Sequence, residues 1–142
     1  MTAMLASDLI AYLTTAGFTV YPDPNILPAE LPESKYPCLF VFGTGGPPPH
    51  EYVPTERPTF QVIVKGNSYK ANPTNMAAAE SLAKQLIQHL HRRANFKVGE
   101  ASVFSCRALQ SNPIYLGLDI GDRPMYSTNF VFFTRGNDPW LT

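Results

Sequence analysis

The sequence predicts an α+β fold, in which a mostly antiparallel sheet of four to five strands packs against two helices. Two segments carry apolar residues at helical spacing, whereas five others are short apolar or alternating runs typical of strands. Prolines and glycines separate these segments. The predicted order is α-β-β-β-α-β-β, and a chain of 142 residues fits one domain, residues 1–142, with one hydrophobic core.

The first helix is predicted over residues 3–16, and Gly17 follows it as a stop signal. Its apolar residues recur at helical spacing: Met4, Leu5, Leu9, Ile10 and Leu13. A short strand is expected over residues 18–21. Residues 22–37 contain five prolines, which exclude a helix and predict an extended linker along the surface.

Two strands and a long loop are predicted next. Residues 38–42, CLFVF, form a fully apolar run, and residues 59–66 alternate between apolar and polar side chains. Between them, residues 43–57 are rich in proline and glycine and predict an irregular loop. Because prolines stiffen such a loop, docking it on a partner costs less conformational entropy. We expect the loop to be mobile in the free subunit and ordered by a neighbouring protein.

The second helix is the clearest element and is predicted over residues 75–94. Asn72 or Thr74 is a suitable cap, and Pro73 suits the first turn. The apolar stripe consists of Met76, Ala79, Leu82, Ala83, Leu86, Ile87 and Leu90. Strands over residues 102–110 and 125–134 complete the fold. We expect one core that contains Phe60, Val62, Leu82, Leu86, Ile87 and Phe130.

The charge content excludes several classes of function. The formal net charge is zero, which removes the usual reason to expect nucleic acid or an anionic membrane as partner. Charged residues make up 15% of the chain, against roughly 25% in a typical soluble domain. A surface poor in charge suits a protein that is covered by partners, although a neutral monomer has the same composition. No apolar run approaches the roughly 20 residues that span a bilayer, and the N-terminus lacks the basic region of a signal peptide.

No motif indicates catalysis, a metal or a cofactor. His89 and His91 point in different directions on a helix, and neither cysteine has a second cysteine close in sequence. Cys38 and Cys106 are predicted to be buried free thiols, because both lie in strand-like runs. The GTGG sequence at 43–46 precedes prolines rather than a helix, so it lacks the free amides of a phosphate site.

A polar turn precedes the last strand and contains Asp119, Asp122 and Arg123. These three residues form a reactive cluster, a contact with another subunit, or a solvated turn with a local ion pair worth under about 1 kcal/mol. Gly117 and Gly121 give the turn backbone freedom. The strand that follows has apolar residues on both faces toward its end, which indicates that both faces are covered there.

Several sequence elements resemble the tail terminator family of long-tailed bacteriophages, also called minor capsid or tail-completion proteins. The elements are PTFQVIVKG at 58–66, the long helix after a polar spacer, and QSNPIYLGLDIGDRPMYSTNFVFF at 110–133. The resemblance is strongest over residues 58–134. It implies a structural virion protein without cofactor or enzymatic activity, made in the bacterial cytoplasm and located where the tail joins the head.

The resemblance further implies a hexameric ring on the head-proximal end of the tail tube. The ring would end tube polymerisation and contact the tail tube protein and the head connector, and DNA would pass through its lumen without specific binding. We expect two segments at these contacts: the turn, with Asp119, Asp122 and Arg123, and the loop, with His50, Glu51, Tyr52 and Arg57. The alternative is a small protein- or peptide-binding module that uses the 43–57 loop.

Overall fold

The structure is a computed structural model that describes residues 4–135. Two helices, one short 3-10 turn at Glu33–Lys35 and seven strands lie within these residues. The helices are α1 (Ala6–Thr15) and α2 (Thr74–Leu90), and the strands are β1 (Cys38–Gly45), β2 (Thr55–Glu56), β3 (Thr59–Lys65), β4 (Ala94–Val98), β5 (Ala101–Ala108), β6 (Ile114–Leu118) and β7 (Pro124–Arg135).

Strand β7 is the central strand of the single antiparallel sheet, whose main order is β1-β3-β7-β5-β4. One edge of β7 pairs with β3 through residues 125–131 and with β2 through residues 134–135. The other edge pairs with β5 through residues 130–135 and with β6 through residues 124–127. The 12 residues of β7 therefore join four other strands.

Both helices pack on the same face of the sheet and enclose the main core. The helices contribute Leu9, Ile10, Leu13, Ala79, Ala83, Leu86, Ile87 and Leu90, and the sheet contributes Leu39, Val41, Phe60, Val62, Val64, Tyr126, Phe130 and Phe132. Leu82 is partly buried against this core. The predicted core set is confirmed, because the helical and strand periodicities both select this face.

The opposite face of the sheet carries a smaller core at one end. Tyr36, Cys38, Phe40 and Ile63 are buried there, with Tyr21 and Leu31 packed against them. The proline-rich segment 22–37 thus contributes Tyr36 and Leu31 to the cover of this end of the second face. Because alternate residues of a strand point to opposite faces, Phe40 and Leu39 belong to different cores.

The end of α1 follows the signal in the sequence, whereas the N-cap position of α2 is Pro73 rather than Asn72 or Thr74. Gly17 has a φ of 105°, which only glycine adopts readily, and it follows the C-cap of α1. The side chain of Asn72 accepts a hydrogen bond from the backbone N–H of Thr74 at 3.1 Å, at the start of α2. Neither helix of residues 4–135 is long and apolar enough to cross a membrane.

Several predicted elements are wrong in detail. The sheet has seven strands rather than four to five, because β2, β4 and β6 were not predicted. Residues 18–21 form only one isolated bridge, between Val20 and Leu39, and not a strand. Helix α2 ends at Leu90 rather than residue 94, since Arg92 turns the chain with a φ of 67° and β4 begins at Ala94.

The two faces of β7 predict different costs of truncation. Phe130 is fully buried in the main core, whereas Phe133 is 40% exposed on the other face of the same strand. We expect Phe130→Ala to lower the free energy of unfolding by about 3–5 kcal/mol, because it leaves a cavity. Phe133→Ala, the matched control, should cost about 1 kcal/mol or less. Urea unfolding measures both, and equal losses would contradict the assignment of the faces.

Candidate functional site

The turn before β7 is held by the carboxylate of Asp119. One oxygen of Asp119 accepts hydrogen bonds from the backbone N–H groups of Gly121, at 2.8 Å, and Arg123, at 2.9 Å. The other oxygen lies 2.9 Å from the Nζ atom of Lys65 in β3. The Asp119 side chain therefore faces the sheet and not the solvent, and it organises the turn from inside.

Arg123 extends this arrangement into a buried ionic network. Its guanidinium pairs with Asp119 at 3.5 Å and with Glu33, and it stacks on the ring of Tyr36 at 4.4 Å. Arg123 is only 2% exposed and Lys65 only 1%. The network joins the turn, strand β3 and the proline-rich segment. It therefore holds that segment against the sheet.

Gly121 and Asp122 complete the turn. A Cβ atom on Gly121 would lie 2.2 Å from a guanidinium nitrogen of Arg123, so a larger residue would force the Arg123 side chain to shift from its ion pairs. Asp122 has a φ of 59° and forms an ion pair with Lys70 at 3.2 Å on the surface. Of the three predicted turn residues, Asp119 and Arg123 come together inside the chain, whereas Asp122 faces outward.

The electrostatics of Asp119 agree with this geometry. Burial alone would raise the pKa of the Asp119 carboxyl group. Hydrogen bonds from the backbone of Arg123, from Lys65 and from the backbone of Gly121 outweigh burial, and the pKa lies below its ordinary value. The interpretation of the cluster as a solvated turn is therefore wrong for Asp119 and Arg123. Their contact with another subunit stays a prediction.

The predicted loop, residues 43–57, forms an exposed extension that we call the arm. Its base is ordered, because β1 continues to Gly45 and β2 lies within it. At the tip, residues 47–53, the ring of His50 accepts hydrogen bonds from the backbone N–H groups of Tyr52 and Val53. Glu51 is exposed, and Tyr52 is 88% exposed. The tip thus presents an aromatic side chain to solvent on a preorganised turn.

Arg57 lies at the base of the arm and not at its tip. Its guanidinium lies 6.0 Å from the ring centre of Phe133. Ser105 and Arg107 line the same shallow surface on the second face of the sheet. A Cβ atom on Gly46 would lie 2.3 Å from the carbonyl oxygen of Arg57. The two sides of the arm can therefore approach this closely at its base only if residue 46 is glycine. The structure therefore separates Arg57 from His50, Glu51 and Tyr52.

Strand β6 forms an exposed apolar surface that the sequence interpretation missed. We call it the β6 patch, and its residues are Ile114, Tyr115, Leu116, Leu118 and Ile120, all more than a third exposed. A bulge between Tyr115 and Gly117 leaves Leu116 without a partner in the pairing with β7. The sequence feature that could have indicated this surface is the absence of any charged residue between positions 108 and 118.

The histidines and cysteines of the described chain were the remaining candidates for chemistry in the sequence. Residues 4–135 contain no group of three or more His, Cys, Asp or Glu residues that could hold a metal ion. Cys38 and Cys106 are buried free thiols, as predicted, and burial raises their pKa values to about 11 and about 12. His89 contacts the hydroxyl of Tyr12 at 3.2 Å, and burial lowers the pKa of its ring. These groups therefore have structural contacts.

Comparison with known proteins identifies a family. A family model described as bacteriophage tail terminator protein matches residues 12–133. No curated protein and no solved structure gives a significant match. The matched range contains α2, the arm, the turn before β7 and the β6 patch.

The buried network predicts a specific loss of stability on substitution of Asp119. At neutral pH, Asp119→Asn should lower the free energy of unfolding by about 3–5 kcal/mol, because Lys65 and Arg123 lose a buried counter-charge. Urea unfolding would measure this loss. Asp23→Asn removes one negative charge from an exposed residue and serves as the matched control.

The same network predicts the direction of the pH dependence. Because folding lowers the pKa of Asp119, its stabilising effect is present above the unfolded pKa of about 4 and is lost as pH falls through the folded value. The stability difference between wild type and Asp119→Asn should therefore shrink in acid. A difference that stays constant down to about pH 2 would contradict the lowered pKa.

Proposed function

The chain belongs to the bacteriophage tail terminator family, and we propose that it forms a ring, with six subunits expected, on the head-proximal end of the tail tube. The ring ends polymerisation of the tube and provides the surface that the head connector binds. Its partners are further copies of itself, the tail tube protein and the connector protein. The role is structural and includes no catalytic step, and DNA passes through the lumen without specific binding.

The family match over residues 12–133 is the observation that carries this proposal. The surface supports it independently, because a ring subunit needs two different patches that meet on neighbouring copies. The arm and the β6 patch are two such exposed surfaces, and they lie on different parts of the sheet.

The charge distribution also supports an assembly role. The chain has 11 basic and 11 acidic residues, so a ring of identical copies accumulates no net charge. Such a ring would neither attract DNA strongly into its lumen nor repel a neighbouring subunit over long range. The turn residues Asp119, Asp122 and Arg123 belong to this proposal: Asp122 is the one accessible to a neighbour, and the buried Asp119 and Arg123 hold the turn that presents it.

A second candidate function remains, a monomeric module that binds a protein or peptide through the arm. The exposed ring of Tyr52 on a turn ordered by His50 favours this candidate as much as it favours a ring contact. Oligomeric state distinguishes the two functions.

The first experiment is electron microscopy and native mass spectrometry of the purified protein. We expect a closed ring of one subunit number. A monomer at every concentration up to the millimolar range would favour the binding module. In the phage that encodes the chain, removal of its gene should give tails of irregular length, and wild-type protein supplied in trans should restore the normal length. Normal tails without the protein would contradict the proposed function.

The second experiment tests the arm. Replacing residues 47–53 with a short Gly-Ser bridge should change the free energy of unfolding by about 1 kcal/mol or less, because the tip is exposed. The same variant should fail to restore tail length in complementation. Pro54 is retained because it is buried. A large loss of stability would show that the tip is part of the folded core, and full complementation would exclude it from assembly.

A further inference from the structure

The outer edges of the sheet differ in how they are protected. The outer edge of β1 is already used, because Leu39 exchanges hydrogen bonds with Thr19 and Tyr21, and the Val41 carbonyl accepts one from Asn25. Protection of this kind prevents the pairing of an edge with another chain.

The other two long edges contrast with each other. The edge of β4 carries the charge of Lys97 and a left-handed residue, Asn95, with a φ of 57°. Strand β6 carries no charge, and within residues 4–135 it pairs only with β7. The edge of β6 is therefore less protected than those of β1 and β4, and the exposed apolar side chains of the β6 patch indicate a surface that becomes covered.

The arm tip is the second exposed apolar feature of the fold. Tyr52 and Val53 are both exposed there, and residues 47–49 are three consecutive prolines. A proline-stiffened turn that presents an aromatic side chain loses little conformational entropy on binding. Aromatic residues on such turns are frequent anchors of protein interfaces.

The arm tip cannot reach the β6 patch of its own chain. Thr55 pairs with Arg135, whereas Ile114 pairs with Ser127, so the two sites are separated by roughly 26 Å along β7 at about 3.3 Å per residue. Tyr52 lies only three positions before Thr55, and this stretch spans at most about 10 Å. If the two surfaces meet, they meet on different copies.

We propose that the arm tip of one copy docks on the β6 patch of the next copy, with Tyr52 as the anchor beside Leu116 and Ile120. This inference rests on the proposed ring, and it identifies which two surfaces form the contact between subunits. In the proposed ring of more than two copies this contact is head-to-tail, and each copy keeps one free tip and one free patch until the ring closes. Two copies that paired through β6 alone would stop at a dimer.

Cross-linking of two single-cysteine variants tests this contact. One chain carries Tyr52→Cys and the other carries Leu116→Cys, and a short bifunctional thiol reagent is added to the purified chains at millimolar concentration. Cys38 and Cys106 are buried and should react slowly, and the parent chain controls for them. The mixture should give a cross-linked product that contains both variants, whereas each variant alone should give none.

The outcomes separate this inference from the proposed function. Rings without a product between the two variants would overturn the arm-to-β6 contact and leave the ring intact. A product from Leu116→Cys alone would show β6 pairing with β6 and would also overturn it. A chain that stays monomeric and does not restore tail length would overturn both the contact and the proposed function.

A charge substitution provides a second measurement. Leu116→Lys places a charge in the proposed contact and should weaken self-association about a hundredfold or more, because that charge would be buried without a partner. Ile26→Lys, on an apolar residue of similar exposure outside the patch, is the matched control and should associate normally. Circular dichroism confirms that both variants fold. Normal association of Leu116→Lys would overturn the inference.

Discussion

Hydrogen bonding along both edges of β7 is the constraint on which the rest of the structure depends. Its residues must align with β3 and β2 on one side and with β5 and β6 on the other. A shift by one residue would move Phe130 and Phe132 out of the main core and expose them on the other face. The same strand fixes the base of the arm at one end and β6 at the other. The positions of both proposed contact surfaces therefore depend on the pairing register of β7.

The ionic network holds the proline-rich segment on the sheet. Segment 22–37 lacks a regular strand, so side chains must replace the hydrogen-bond ladder that fixes other elements. Arg123 pairs with Glu33 and stacks on Tyr36, and the Nζ atom of Lys65 donates a hydrogen bond to the carbonyl of Pro28. Asp119 pairs with both cations, and it is the buried anion of the network, since Glu33 is largely exposed. Removing the anion would leave two buried cations together, which explains why the network is built around a carboxylate of lowered pKa.

The sequence predicted the elements whose periodicity is strong and missed those that depend on tertiary pairing. Helix α2 and strands β1, β3, β5 and β7 follow their hydrophobic patterns, whereas β6 is exposed along most of its length and β4 buries only Val98 and part of Phe96, so neither shows a strong pattern. The run at 18–21 has a strand composition, but it forms only one isolated bridge, between Val20 and Leu39. Among the site residues, Asp119, Asp122 and Arg123 could be recognised in the sequence because they are grouped charges in a chain with few charged residues. The burial of two of these residues was not predictable, because it depends on Lys65 and Glu33, which are distant in sequence and have no local signal.

A few side chains depart from the usual distribution in a small domain. Lys65 and Arg123 are almost fully buried, while Tyr52 and Ile120 are each 88% exposed. Since charged residues are only 15% of the chain, withdrawing Lys65, Arg123 and Asp119 leaves the outer surface poorer still in charge. A free subunit gains nothing from this arrangement, because exposed apolar residues promote association. An assembly subunit of the tail does gain, because apolar surface that is covered on assembly contributes binding free energy without the desolvation cost of charged groups. The charges that remain in the interior fix the shape of the subunit, and the apolar residues outside are left for its neighbours.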